Sequence, residues 1–421
     1  MQLTTAPPER LARLWKSLCP WAGFGEASPR RKALTIVLAS LTLWSVWNVA
    51  RSSQHPWGDL SRGVFTDHFS HMNAARAFTR VGRDLWRKPI ANMFRPLTEA
   101  ELAGMPADVR AGASGTGGVY FVPGWPRTKP LAVSWSNKSR MYPPGDLLLV
   151  APIAALYHFT AISLQTTCRL LLAWFIVLTH VVLYWFLLSY FEGRRSSTEW
   201  LGLIFLYSSM MRWTLEGFYD CAAMGALILC ARYLGRRRSL AAIVAYCVGA
   251  FVHFRAFFLA PWVLYAVLLV VKDRAWRRWT RRDLPALVVA AVCATASLYV
   301  FWLDLPALRG SGANNPLLLF SSGFDRAMAC NFAIVLVACG GVLLWSRAWL
   351  DVAVLAWLAL ILFQLRELYC WHLLISMSWI GAPASRQIVR GVRLLFFVTV
   401  ATLALHESVA PSWLWLLFRP R

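Results

Sequence analysis

Charge is scarce in this sequence, and negative charge scarcer still. Only 15% of its 421 residues are charged, and 20 acidic residues face 43 basic ones. A soluble globular domain usually carries about 25% charged residues, so a water-solvated fold with an ordinary polar surface is excluded. The nine cysteines (Cys19, Cys168, Cys221, Cys230, Cys247, Cys293, Cys330, Cys339 and Cys370) form no CxxC pair and mostly lie in apolar stretches. That argues against a disulfide framework or a zinc site and for small buried hydrophobes. Internal repeats and low-complexity tracts are also missing, which excludes solenoids and tandem arrays. The first apolar run starts only at Ala33, behind a basic stretch and without a small-residue cleavage site, the pattern expected of a retained signal anchor.

What is present is apolar bulk. Hydrophobic residues make up 58% of the chain and its mean hydropathy is +0.50, so the bilayer is the expected solvent and each spanning helix satisfies its own backbone. Runs of about 17 to 20 apolar residues suffice to cross. Candidates are 33–50, 170–191, 199–215, 219–235, 239–253, 256–271, 285–303, 328–346, 350–364, 368–382 and 394–408. The expected fold is an all-α polytopic membrane protein of about eleven transmembrane helices. It comprises a cytoplasmic segment 1–32 and one transmembrane domain 33–421, with 51–145 as a large extracytoplasmic loop. In that loop, 65–88 sets Phe65, Phe69, Met72, Phe78, Val81, Leu85 and Trp86 at helical spacing, with Arg and Asp on other positions. The pattern predicts an amphipathic interfacial helix on the membrane surface. Residues 104–128, rich in Gly, Ala, Pro and Ser, read as mobile loop.

The net charge of +23 is gathered in short clusters flanking apolar segments, which points to topology and anionic membrane lipid and not to nucleic acid. Arg30, Arg31 and Lys32 put the N-terminus in the cytoplasm. The clusters Arg194/Arg195, Arg236–Arg238, Lys272–Arg282, Arg347 and Arg386/Arg390/Arg393 all fall on that same side if 147–165 dips into the bilayer and returns. If that stretch crosses, Arg194/Arg195 and Arg236–Arg238 face outward. The returning arrangement is the expected one.

Three local stretches carry chemistry. Thr66-Asp67-His68-Phe69-Ser70-His71 is followed by AARAF and, after the loop, by Met141-Tyr142-Pro143-Pro144-Gly145-Asp146 at the head of an apolar segment. Glu216-Gly217-Phe218-Tyr219-Asp220 forms an outer turn, and His253-Phe254-Arg255-Ala256 precedes Pro261. In this order of features, over about residues 33–270, the chain resembles the GT-C superfamily of membrane glycosyltransferases. The resemblance is closest to bacterial polyprenyl-phosphate-sugar-dependent mannosyl- and arabinosyltransferase-like members.

The resemblance implies a plasma-membrane enzyme that moves a sugar, with inversion, from a polyprenyl-phosphate-linked donor to a glycan or lipid acceptor on the extracytoplasmic face. It makes Asp67 the first-loop acid. Such a transfer needs a carboxylate for the acceptor's proton and cations for the departing phosphate. Arg255, with His253 beside it, suits the second task, and Arg366 is a further candidate because an arginine at a membrane helix end needs a partner. His68, His71, Asp220 and Tyr142 complete the candidate site. Many relatives carry two acids in the first-loop motif where this chain has Asp67-His68. Asp67 and His71 one turn apart would offer a divalent ion only two ligands, a poor site, so no metal or other cofactor is expected.

Plainer readings stand beside these. Asp67 would cap or solvate its helix, His253 and Arg255 would be snorkelling anchors, and Arg366-Glu367 a local pair. Asp220 reads first as the N-cap of a helix starting at Cys221, and the 23 tryptophans as an interfacial belt. A transporter or flippase of lipid-linked sugars and an O-antigen ligase- or polymerase-like enzyme are the alternative functions. Transporters tend to show repeated halves and broken midplane helices, and neither is evident here.

Overall fold

The computed structural model describes residues 29–51, 54–55, 58–59, 67–114, 118–133, 142–191, 238–253 and 279–308, with isolated positions at 25, within 222–233, and at 256 and 277. Of the expected spans, 199–215, 328–346, 350–364, 368–382 and 394–408, and most of 219–235 and 256–271, lie outside the described residues.

The described chain is mostly helical, and two helices are long and apolar enough to cross a membrane. The first, α1 (Pro29–Arg51), leaves Ile36, Val37, Leu43 and Trp47 more than half exposed. An exposed apolar row of this kind marks contact with lipid or with another protein surface. Gln54–His55 (β1) and Gly58–Asp59 (β2) pair antiparallel just beyond it.

Next come α2 (Asp67–Val81), β3 (Arg95–Pro96), α3 (Glu99–Ala103), α4 (Ala107–Ser114), β4 (Gly118–Phe121) and β5 (Leu131–Val133). Then follow α5 (Gly145–Phe159) and the second long apolar helix, α6 (Leu164–Phe191). Finally α7 (Ser239–Val252) packs on α8 (Leu284–Leu308).

Helices α1 and α6 run antiparallel. Arg31 Nε donates to the Tyr184 hydroxyl at 2.9 Å, and further along α1 Thr42 Oγ1 meets His180 Nδ1 at 2.6 Å. Polar contacts of this kind hold apolar helices together where hydrophobic association offers little. Arg51 ends α1 on the side where Leu164 begins α6, and the start of α6 is held there from the first loop: Asp108 Oδ2 accepts from the Leu164 amide at 3.0 Å.

The all-α expectation needs correction in the first loop. Strand β4 lies between β3 and β5 in an antiparallel sheet with Tyr120 opposite both Pro96 and Leu131. The stretch 104–128, expected as mobile loop, thus supplies α4, β4 and a turn through Gly124. That turn requires glycine: φ is +79°, and a Cβ would sit 3.0 Å from Arg80 Nη2. Arg95 clamps Glu101 with two donors at 2.8 and 2.6 Å, and Thr98 forms a capping box with Glu101. The guanidinium and the Thr98 amide hold the Glu101 carboxyl down to about 2.

The predicted amphipathic helix also differs from expectation. It ends at Val81, before Gly82 (φ +51°), and passes into a 3-10 turn over Gly82–Trp86. Every residue from His71 to Ala77 is buried, so α2 does not lie on a surface with one wet face. The small side chains Ala74, Ala75 and Ala77 let α5, β5 and α6 approach from several directions. The outward apolar face belongs to α5, where Leu148 is 65% and Phe159 82% exposed. With 15 residues, α5 rises about 22 Å, short of the ~30 Å hydrocarbon core.

Candidate functional site

Three segments distant in sequence meet at the start of α5. Pro144 turns the chain into the helix with φ −71° and ψ −16°, and the Trp86 indole donates to the Tyr142 carbonyl at 2.7 Å. Helix α5 can then begin at Gly145, directly against the end of α7: a Cβ on Gly145 would lie 2.5 Å from the Phe251 carbonyl oxygen. Asp146 follows in the first turn, where the helix dipole favours a carboxylate.

From α2, His71 reaches this turn. Its Nδ1 lies 2.6 Å from Asp146 Oδ2, with both side chains about 95% buried. The Tyr142 ring stands edge-to-face against His71 at 4.6 Å and against His253 at 5.3 Å. His253 terminates α7 in extended conformation, its amide still bonded to the Gly249 carbonyl, and its side chain is 1% exposed. A snorkelling anchor would reach the interface; this imidazole is enclosed.

Asp67 opens α2 one turn before His71. The side chains of Asp67 and His68 lie outside the described residues, as do Arg255, Arg366 and Asp220. Of the sequence candidates, His71, Tyr142 and His253 are brought together. Asp146, which sequence reasoning passed over as the head of an apolar run, is the partner of His71. Its signal was legible: an acid directly after Pro-Pro-Gly at a helix start.

A second buried polar cluster lies two turns along α2. The Arg76 guanidinium donates to Asn73 Oδ1 at 2.7 Å and to the carbonyls of Lys129 and Pro130 at 2.8 and 3.2 Å. It is stacked between the rings of Trp125 and Tyr157, 4.0 and 4.8 Å from their centroids. Burial pulls its pKa down to about 10, so it stays charged at neutral pH. The Lys129 ammonium donates to the carbonyls of Tyr157 and Thr160, a cation on the negative end of α5. Burial, and secondarily Arg76, lower the pKa of Lys129. Arg76 donates to two backbone carbonyls and the Asn73 amide oxygen, with its Nε unpartnered, and Lys129 donates to two carbonyls, so this cluster clasps the 122–133 segment to α2 and α5. Read as one of the residues off the apolar stripe, Arg76 gave no sequence signal of burial, because the covering segment comes from about 50 residues away.

Among the described residues, no group of three or more His, Cys, Asp or Glu side chains is placed to hold a metal ion. The described cysteines are free. Comparison with protein-family models, with curated proteins and with solved structures yields no match.

Proposed function

We propose that this chain is a polytopic plasma-membrane glycosyltransferase of GT-C type, with about eleven spans and a cytoplasmic N-terminus. It moves a sugar, with inversion, from a polyprenyl-phosphate-linked donor to a glycan or lipid acceptor at the extracytoplasmic surface. The carrying observation is the convergence of the first turns of α2, the Tyr142-Pro143-Pro144 lead into α5 and the end of α7 at His253. These are the stretches on which the resemblance rests, and Tyr142 bridges two of them.

Topology supports the same reading. Both ends of α5 bond to first-loop residues, His71 at its start and Lys129 at its end, and α6 begins under Asp108 of the same loop. Residues 51–163 then lie on one side of the bilayer, with α5 in the interface, its exposed leucines and Phe159 toward lipid. Asp67 supplies the carboxylate of the reacting centre, and Arg255, with His253 two positions earlier in the sequence and Arg366 as a second cation, binds the departing phosphate.

Purified protein in detergent, given a radiolabelled polyprenyl-phosphate sugar and membrane glycan acceptors, is expected to transfer label. Asp67→Asn is expected to lose transfer while still folding and binding polyprenyl phosphate. Undiminished transfer by that variant removes Asp67 from the mechanism. Wild-type protein that transfers nothing but carries lipid-linked sugar across a vesicle membrane is a flippase.

A further inference from the structure

Resting only on the placing of α5 in the membrane interface, and not on sugar transfer, we infer that the carboxyl end of α5 is a docking surface for an anionic phospholipid. Arg80 and Arg127 take the headgroup phosphate, and Leu156 and Phe159 take the acyl chains.

The carboxyl end of a helix ordinarily repels an anion, because the macrodipole and the last free carbonyls place negative charge there. In α5 the first loop cancels that charge. Lys129 donates its ammonium to the Tyr157 and Thr160 carbonyls, and its amide closes a turn onto the Pro126 carbonyl at 2.9 Å. Arg127, the second residue of that turn, is exposed. Arg80 reaches the same loop from the end of α2: its Nη2 stands 3.0 Å from where a Cβ on Gly124 would lie. The next residue, Trp125, meets the His158 ring edge-to-face at 5.3 Å.

Cations therefore collect at this end of α5. Arg76 Nη2 lies 3.4 Å from His158 Nδ1. Burial first, and then the charges of Arg76, Arg80 and Lys129, lower the pKa of His158. Asp108, whose charge reaches Tyr157, is engaged by the amides of Val109 and Leu164. Among the described residues Arg80 and Arg127 enter no ion pair, and both are exposed. Two exposed guanidiniums beside two buried cations make a positive site, and the guanidinium fork matches the oxygens of a phosphate.

The apolar half adjoins it. Leu156 and Phe159, three residues apart and so on one face of the helix, are 39% and 82% exposed. The Phe159 ring lies edge-to-face with His158 at 4.8 Å, which joins the apolar face to the cations. A free phosphate would use the cations alone, whereas a phospholipid uses both halves.

The test is site-mapped photolabelling. Full-length protein in nonionic detergent is irradiated with phosphatidylglycerol carrying a diazirine in its acyl chain, and the adducts are located by peptide mass spectrometry. The peptide holding Leu156 and Phe159 is expected to be labelled several-fold more than by the matching phosphatidylcholine probe at equal mole fraction. Arg80→Gln/Arg127→Gln is expected to lower that labelling about ten-fold or more, the effect of two basic residues at an anionic headgroup. Its melting midpoint should stay at the wild-type value, since both side chains are exposed. Arg87→Gln/Lys88→Gln removes the same charge beside Trp86, which bonds to Tyr142 at the start of α5, and should leave the labelling unchanged. Unlabelled phosphatidylglycerol should displace the probe and inorganic phosphate should not.

Equal labelling by the two probes in folded wild-type protein overturns the site. So does labelling that survives the loss of Arg80 and Arg127, or that falls as far on the loss of Arg87 and Lys88. Displacement by inorganic phosphate, or by polyprenyl phosphate at lower concentration than phosphatidylglycerol, reassigns the surface to a free anion or to the donor lipid. A protein that transfers sugar but is not labelled here loses only this site, and one labelled as expected without transferring sugar loses only the proposed activity.

Discussion

Arg76 shows how a single residue can serve stability without serving chemistry. Its guanidinium supplies donors to two backbone carbonyls and one amide oxygen and fills the space between two aromatic rings. Hydrogen bonds to charged groups contribute about 1.5–3 kcal/mol each, and an acceptor stranded in a buried site costs about 1–3 kcal/mol. Arg76→Ala is therefore expected to destabilise the protein by about 3 kcal/mol or more, seen as a lower thermal midpoint in detergent. Arg76→Lys should recover little of this, because an ammonium lacks the planar fork and stacks poorly. A variant melting with the wild type would show that the 122–133 segment is held elsewhere.

Between elements, the closest approach is at the start of α5. Gly145 is required there by crowding and not by its φ, since added methyl hydrogens would meet the Phe251 backbone, which cannot move aside as a side chain would. Gly145→Val is expected to push α7 from α5, cost about 1–3 kcal/mol as overpacking does, and separate His253 from Tyr142. Transfer activity and the melting midpoint should fall together in this variant. Equal stability and activity in Gly145→Val would mean that the two helix ends are not pressed together. Two caps set the ends of the neighbouring helices. Lys129 closes α5 at its carboxyl end, and Asp108 opens α6, so loop residues decide where the apolar helices stop and start.

At the scale of the molecule the decisive question is which side each loop faces. If 51–163 is one extracytoplasmic layer, single cysteines replacing Ser61 and the exposed Ser163 should both react with an impermeant maleimide added to intact cells. A cysteine replacing Arg237 should react only after permeabilisation. Labelling of Ser163→Cys only after permeabilisation would mean that α5 crosses and that the active face has been assigned to the wrong side. The stretch 147–165, whose returning path is expected from the charge clusters, holds a helix about 22 Å long bonded at both ends to the loop before it.

Local order by itself determined much of this. The apolar runs 33–50, 170–191, 239–253 and 285–303 coincide with α1, part of α6, α7 and α8, because a helix closes its backbone hydrogen bonds within the segment itself. The helix within 65–88 was legible from its 3.6-residue period, and Tyr142, His71 and His253 from the short stretches in which they stand. Only the tertiary structure decided that α2 is covered from Phe69 to Ala77, that 104–128 contributes to a sheet, and that His71 pairs with Asp146 and not merely with its own helix neighbours. Periodicity reports which side of a helix is apolar. It cannot report which segment, 50 or 75 residues away, folds back to cover the other side and bring its polar groups within hydrogen-bond reach.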